Sequence, residues 1–161
     1  MSQTNEPLKT AALQTATFAC GCFWGVESKF QQIEGVVSTD VGYTGGTSDA
    51  PTYKSVCGGG TGHAEAVEII FDPAIVSYSE LLERFFLMHD PTDTGDTHGG
   101  QYRAAIFYHS SDQEAEARKF KERIQADCGL PVTTQIAPAV AFFRAEEYHQ
   151  DYYKKNGGGF C

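Results

Sequence analysis

Polar and apolar residues alternate from Thr15 to Cys20, with Ala16, Phe18 and Cys20 on one face and Thr15, Thr17 and Ala19 on the other. That period of two predicts a strand. The period then changes. Phe23, Val26, Phe30 and Ile33 recur at helical spacing, so a helix is predicted from about Cys22 until Gly35 ends it. Val36 to Tyr43 reads as a second strand closed by Gly45-Gly46, and Ala64 to Phe71 as a third, stopped by Asp72-Pro73. Ser77 and Glu80 form a capping box ahead of a helix that buries Leu81, Leu82 and Phe85, and Asp90-Pro91 stops it. Tyr102 to Tyr108 is a fourth strand candidate. A third helix is expected from a second box, Ser111 to Glu114, to Gly129, followed by a short strand near Thr133 to Ile136 and a last helix from Ala145 to Asn156.

The order strand-helix-strand-strand-helix-strand predicts an α+β fold, a ferredoxin-like split βαβ sheet with flanking helices and an extended C-terminal segment. No repeat and no long linker divides the chain. Residues 1–14 are expected to be a loose N-terminus, 15–156 a single domain and 157–161 a glycine-rich tail. The 161 residues are 41% hydrophobic, with no apolar run near 18 residues, which argues against a membrane-spanning helix. A net charge of −9, with lysines and arginines never clustered beyond a pair, argues against a nucleic-acid binder. The cysteines are Cys20, Cys22, Cys57, Cys128 and Cys161. An odd number excludes a fully paired extracellular framework, and the first residues lack the plan of a secretory signal. Both point to the cytoplasm.

Cys22 stands where a strand hands over to a helix. First-turn amides and the helix dipole stabilise a thiolate there. Gly21 lets the backbone turn, which favours a nucleophile over a buried structural thiol, whereas Cys20 shares the Phe18 face and reads as a core thiol. Trp24 lies one residue off the apolar stripe, suited equally to ordinary packing or to an aromatic wall beside Cys22. Phe23 lies on the stripe and reads more strongly as core. Glu65 shares a strand face with Val67, Ile69 and Phe71, where burial disfavours its charge and raises its pKa. That would make it a proton donor near neutral pH, unless it turns to water at the strand end. Cys161 follows three glycines and Phe160, a tether of about 20 Å if extended. It suits a travelling thiol, and equally an incidental terminal residue. Cys20, Cys22, Cys57 and His63 lack the paired spacing of a zinc site, so no metal is expected.

The runs Gly21-Cys22-Phe23-Trp24-Gly25-Val26-Glu27, Gly42-Tyr43-Thr44-Gly45-Gly46 and Thr61-Gly62-His63-Ala64-Glu65 resemble the A-type peptide-methionine (S)-S-oxide reductases. So do His89-Asp90-Pro91-Thr92, Gln101-Tyr102-Arg103 and Ala145 to Tyr152, in family order over nearly the whole chain. The resemblance implies that Cys22 attacks the sulfoxide sulfur and that Phe23 and Trp24 hold the methyl group. It implies that Glu65 protonates the sulfoxide oxygen, with Tyr53 and Tyr102 hydrogen-bonding the same atom. Cys161 would resolve the sulfenic acid, with thioredoxin restoring the dithiol. No cofactor is implied beyond that external dithiol, and the substrates would be oxidised proteins or free methionine sulfoxide. A monomer is expected. The loop before Tyr102 is shorter than the family pattern, so the position of an expected aspartate falls near Thr97; either Asp96 fills it by a register shift or the role is absent, and neither residue is assigned to the site. Two other readings of the same residues remain: a thiol hydrolase pairing Cys22 with a histidine, and a metal-binding module.

Overall fold

A computed structural model describes residues 13–93 and 100–157. Six strands form one sheet: β1 (Gln14–Cys20), β2 (Val36–Thr44), β3 (Ala64–Phe71), β4 (Ala104–Tyr108), β5 (Gln135–Pro138) and β6 (Phe142–Arg144). Their order is β5-β4-β1-β3-β2-β6. The neighbours β4-β1, β1-β3, β3-β2 and β2-β6 are antiparallel, and β4-β5 is parallel. The helices are α1 (Phe23–Gln31), α2 (Tyr53–Cys57), α3 (Tyr78–Leu87), α4 (Ser111–Cys128) and α5 (Tyr152–Asn156). The fold is therefore mixed α+β, with helices flanking a single sheet. No described helix is long and apolar enough to cross a membrane.

The main core gathers the apolar stripes of α1 and α3 against β1 and β3. Phe18 stacks on Phe30 at 5.2 Å and on Phe85 at 5.1 Å between ring centroids. A smaller cluster of Ala19, Ala64, Ala66, Ala105 and Phe107 forms separately, with the part-buried Phe142 packed against it. β1 and β3 bury residues of both parities, as central strands do. Gly42 lets β6 approach, because a Cβ there would lie 2.5 Å from the Phe143 carbonyl oxygen.

Most predicted ends agree with the described ones, and several do not. The Ser77–Glu80 box is reciprocal. Gly129 caps α4 in the left-handed region, at φ 73°. The cap at the start of α4 is Ser110, however, not Ser111, and its hydroxyl accepts from the Gln113 amide. β4 starts at Ala104, because Gln101 and Tyr102 sit in a turn closed by the Arg103 amide on the Gly100 carbonyl. α2 and β6, of five and three residues, are too short for a periodic signal.

The helix predicted from Ala145 to Asn156 is broken. A 3₁₀ turn at Glu147–His149 is followed by extended Gln150 and by Asp151 at φ 53°, before α5 begins. Tertiary hydrogen bonds override the helical pattern there. The Gln150 side chain accepts from the Val41 amide and donates to the Val41 and Ala145 carbonyls. Glu27, buried on α1, accepts from the Asp151 amide at 2.9 Å. These bonds hold the C-terminal segment against α1 and β2.

Candidate active site

β1 ends at Cys20, and Gly21 at φ 97° turns the chain into α1. Only glycine adopts that angle without strain. Cys22 is thereby the N-cap residue, extended at φ −64° and ψ 124°, with α1 starting at the next residue. Its sulfur is in a disulfide, while Cys20, Cys57 and Cys128 carry free thiols. Cys161 lies outside the described residues, as do Asp96 and Thr97. Burial pushes the Cys20 thiol up to about 12, against a smaller opposing effect of Lys29. Burial thus favours the protonated thiol at Cys20.

Glu65 approaches Cys22 from the start of β3. Its side chain is 1% exposed. Its Oε1 accepts from the Phe23 amide at 3.1 Å, the N–H immediately after Cys22. Its Oε2 accepts from Gln101 Nε2 at 2.7 Å. Burial raises its pKa to about 7, although these two donors oppose the shift. A carboxyl poised near neutrality is thus anchored to the peptide that follows Cys22.

The aromatic side of the site is built around His149. Phe23 is fully buried, 5.2 Å from the His149 ring and 5.7 Å from Tyr43. The Trp24 indole N–H donates to His149 Nδ1 at 2.9 Å, and the indole stacks on Tyr152 at 3.8 Å. Indole nitrogen can only donate, so the neutral imidazole carries its proton on Nε2. Burial lowers the pKa of His149, which favours that neutral form. Tyr53 packs on the other side, 4.4 Å from the ring.

Glu146 ties this group together, accepting from the Tyr43 hydroxyl at 2.9 Å and the Tyr53 amide at 3.0 Å. Burial works against its charge, but those donors outweigh burial and its pKa is lowered. Burial and a hydrogen bond with Cys57 raise the pKa of the Tyr53 hydroxyl, which keeps it a proton-bearing donor. Tyr102 is 44% exposed at the rim and interacts electrostatically with Tyr53.

The structure thus brings Phe23, Trp24, Tyr53 and Glu65 into one network beside Cys22, with Tyr102 at its edge. A cavity of about 630 Å³ also opens at Cys22, lined by Val26, Lys29, Met88 and Tyr153 among others, but Glu65, Tyr53 and Trp24 are not part of that lining. Cys22 and Glu65 meet through the Phe23 peptide, not through that cavity. Gln101, Glu146, His149 and Tyr152 carry positions in the network that sequence reasoning left unassigned. Their motif runs were the available signal.

Both His63 nitrogens are engaged in a loop tie, Nδ1 with the Gly46 amide at 3.0 Å and Nε2 with the Ser48 carbonyl at 2.8 Å. His63 is therefore not free to serve Cys22 as a base. Among the described residues no three His, Cys, Asp or Glu side chains gather to hold a metal ion.

Known proteins share this framework. The family model for peptide methionine sulfoxide reductase matches residues 14–161. The peptide methionine sulfoxide reductase MsrA of Methanoculleus marisnigri is 52% identical over 155 residues, covering 93% of this chain and 94% of that protein. The crystal structure of Mxr1 from Saccharomyces cerevisiae in reduced form superposes with a TM-score of 0.84 at 38% identity, covering 94% of this chain and 90% of that one. Mxr1 in complex with Trx2 matches at 29% identity with a TM-score of 0.63, covering 88% and 86% of the two chains. A cysteine at a strand-to-helix hinge, a buried carboxyl at the next amide and a family model matched from the first strand onward make this chain a member of the peptide methionine sulfoxide reductase family.

Proposed function

We propose that the chain reduces the S epimer of methionine sulfoxide, free or in proteins, with Cys22 as nucleophile and Glu65 as proton donor. The observation that carries the reading is the neutral-range carboxyl of Glu65, hydrogen-bonded to the amide adjoining Cys22. A sulfoxide sulfur is a poor electrophile until its oxygen is protonated, so thiolate and acid must act together. The Cys22 thiolate attacks the sulfoxide sulfur to form a sulfur–sulfur bond while Glu65 gives its proton to the oxygen; the oxygen then passes to the Cys22 sulfur as the sulfur–sulfur bond and the original sulfur–oxygen bond break. The sulfide leaves with two electrons gained, and Cys22 keeps the oxygen as sulfenic acid. Phe23 and Trp24 hold the methyl group, and the Tyr53 and Tyr102 hydroxyls bind the oxygen. The fused strand order β4-β1-β3-β2 supports a split βαβ unit as the scaffold of this site.

Cys161 then condenses with the sulfenic acid, releasing water and forming a disulfide. The glycine tether ahead of Cys161, which suits a travelling thiol, supports that choice. A thioredoxin-type dithiol resets the pair by exchange, a step supported by the Trx2 complex of the yeast relative. All electrons travel through sulfur, and no cofactor enters.

The deciding assay supplies separate S and R epimers with thioredoxin or dithiothreitol as reductant. Turnover of the S epimer alone is expected. Equal turnover of both, or of neither, would overturn the assignment. Cys161→Ser is expected to complete one turnover at the parent rate and then stall with thioredoxin. Sustained cycling in that variant would move the resolving role to Cys57 or Cys128.

A further inference from the structure

Gln101 holds the acid at both ends. Its backbone carbonyl accepts from the Glu65 amide at 2.8 Å, and its side-chain nitrogen donates to Glu65 Oε2 at 2.7 Å. The same nitrogen reaches the Cys57 sulfur at 3.2 Å. An amide nitrogen has two hydrogens, and these two acceptors use both. Cys57 is in turn hydrogen-bonded to the Tyr53 hydroxyl from within α2. The result is a chain of contacts from Tyr53 through Cys57 and Gln101 to the carboxyl.

From this geometry we propose that Gln101 is the positioning residue of the proton donor, aiming Glu65 Oε2 and setting the acidity at which it works. The inference rests on Glu65 being the acid. Burial alone would raise the carboxyl further, and a carboxyl that holds its proton more firmly releases it less readily in the transition state. The groups facing Glu65 are the Tyr43 hydroxyl from β2 and the Tyr53 hydroxyl from α2, both protonated at neutral pH. Neither brings a compensating cation. The charge-assisted bond from Gln101 and the Phe23 amide are therefore what oppose burial.

Gln101→Met keeps length and removes both donors. With carboxyl-labelled glutamate, the Glu65 titration midpoint in Gln101→Met is expected to rise by about one pH unit above the parent's. Single-turnover reduction at pH 7 should fall about tenfold, while KM stays within about twofold because the methyl pocket is untouched. The pH above which the rate declines should move upward with the midpoint. A second measurement needs no variant: in the parent, the Gln101 side-chain amide protons should titrate with the Glu65 midpoint. An unmoved midpoint in Gln101→Met, or parent amide protons that ignore the Glu65 titration, would overturn the inference. Glu65→Gln separates the two readings. A slow Glu65→Gln beside an unaffected Gln101→Met removes only the role of Gln101. A Glu65→Gln as fast as the parent removes the acid and this inference with it.

Discussion

Cys22→Ser will form no methionine, in single turnover or with any reductant, a loss of at least about 10³-fold. The expectation follows from what the position demands. Cys22 is the N-cap of α1, where the first turn and the positive end of the helix favour an anion. The attack needs an anionic sulfur there, and a serine hydroxyl supplies no anion within the working pH range. A hydroxyl also cannot accept an oxygen atom and return it as water, so the sulfenic stage has no counterpart. The substitution spares the fold. Serine is a preferred N-cap residue, and its hydroxyl can accept from a first-turn amide, whereas Cys22 makes no side-chain cap. Chromatographic detection of methionine after mixing enzyme and sulfoxide in equal amounts reads the result. Stoichiometric methionine from the serine variant would transfer the nucleophile to another thiol.

The parts of this molecule that were legible in the sequence are those whose causes are local. The Ser77–Glu80 box, the glycine that ends α4 and the glycine hinge before Cys22 each depend on residues within a few positions. Glu65 was legible because strand alternation places it among apolar neighbours, and the described burial agrees. The C-terminal segment was not, because its shape depends on distant partners. Gln150 bonds Val41, 109 residues away, and the Asp151 amide reaches Glu27 across 124. The same distance hid His149, whose partner Trp24 is 125 residues upstream, and Gln101, which reaches Glu65 across 36. Their residue types gave no warning, since a glutamine or a histidine is ordinary until its acceptor is known.

Glu65→Gln will slow single-turnover reduction about a hundredfold at neutral pH, with substrate binding nearly unchanged. Glutamine keeps the shape and can still accept from the Phe23 amide, but it has no proton to give. The parent's rate depends on the protonated carboxyl, so it should fall as pH rises through about 7, and that limb should vanish in the variant. Stability supplies an independent reading of the same group. Its folded pKa of about 7 lies above the ordinary carboxyl value of 4.5, so the folded chain binds the extra proton between those values. Stability therefore falls as pH rises through that window, and the full cost of burying the charge is felt above about 7. Between pH 5 and pH 8 the cost grows by about 2 kcal/mol in the parent, and in Glu65→Gln it is absent. Urea unfolding of both proteins at the two pH values measures the difference. If parent and variant lose stability in parallel, the carboxyl is not poised near neutrality. If the variant is also catalytically unimpaired, the proton for the sulfoxide comes from elsewhere, and the Tyr53 hydroxyl, already held as a donor by its surroundings, is the next group to test.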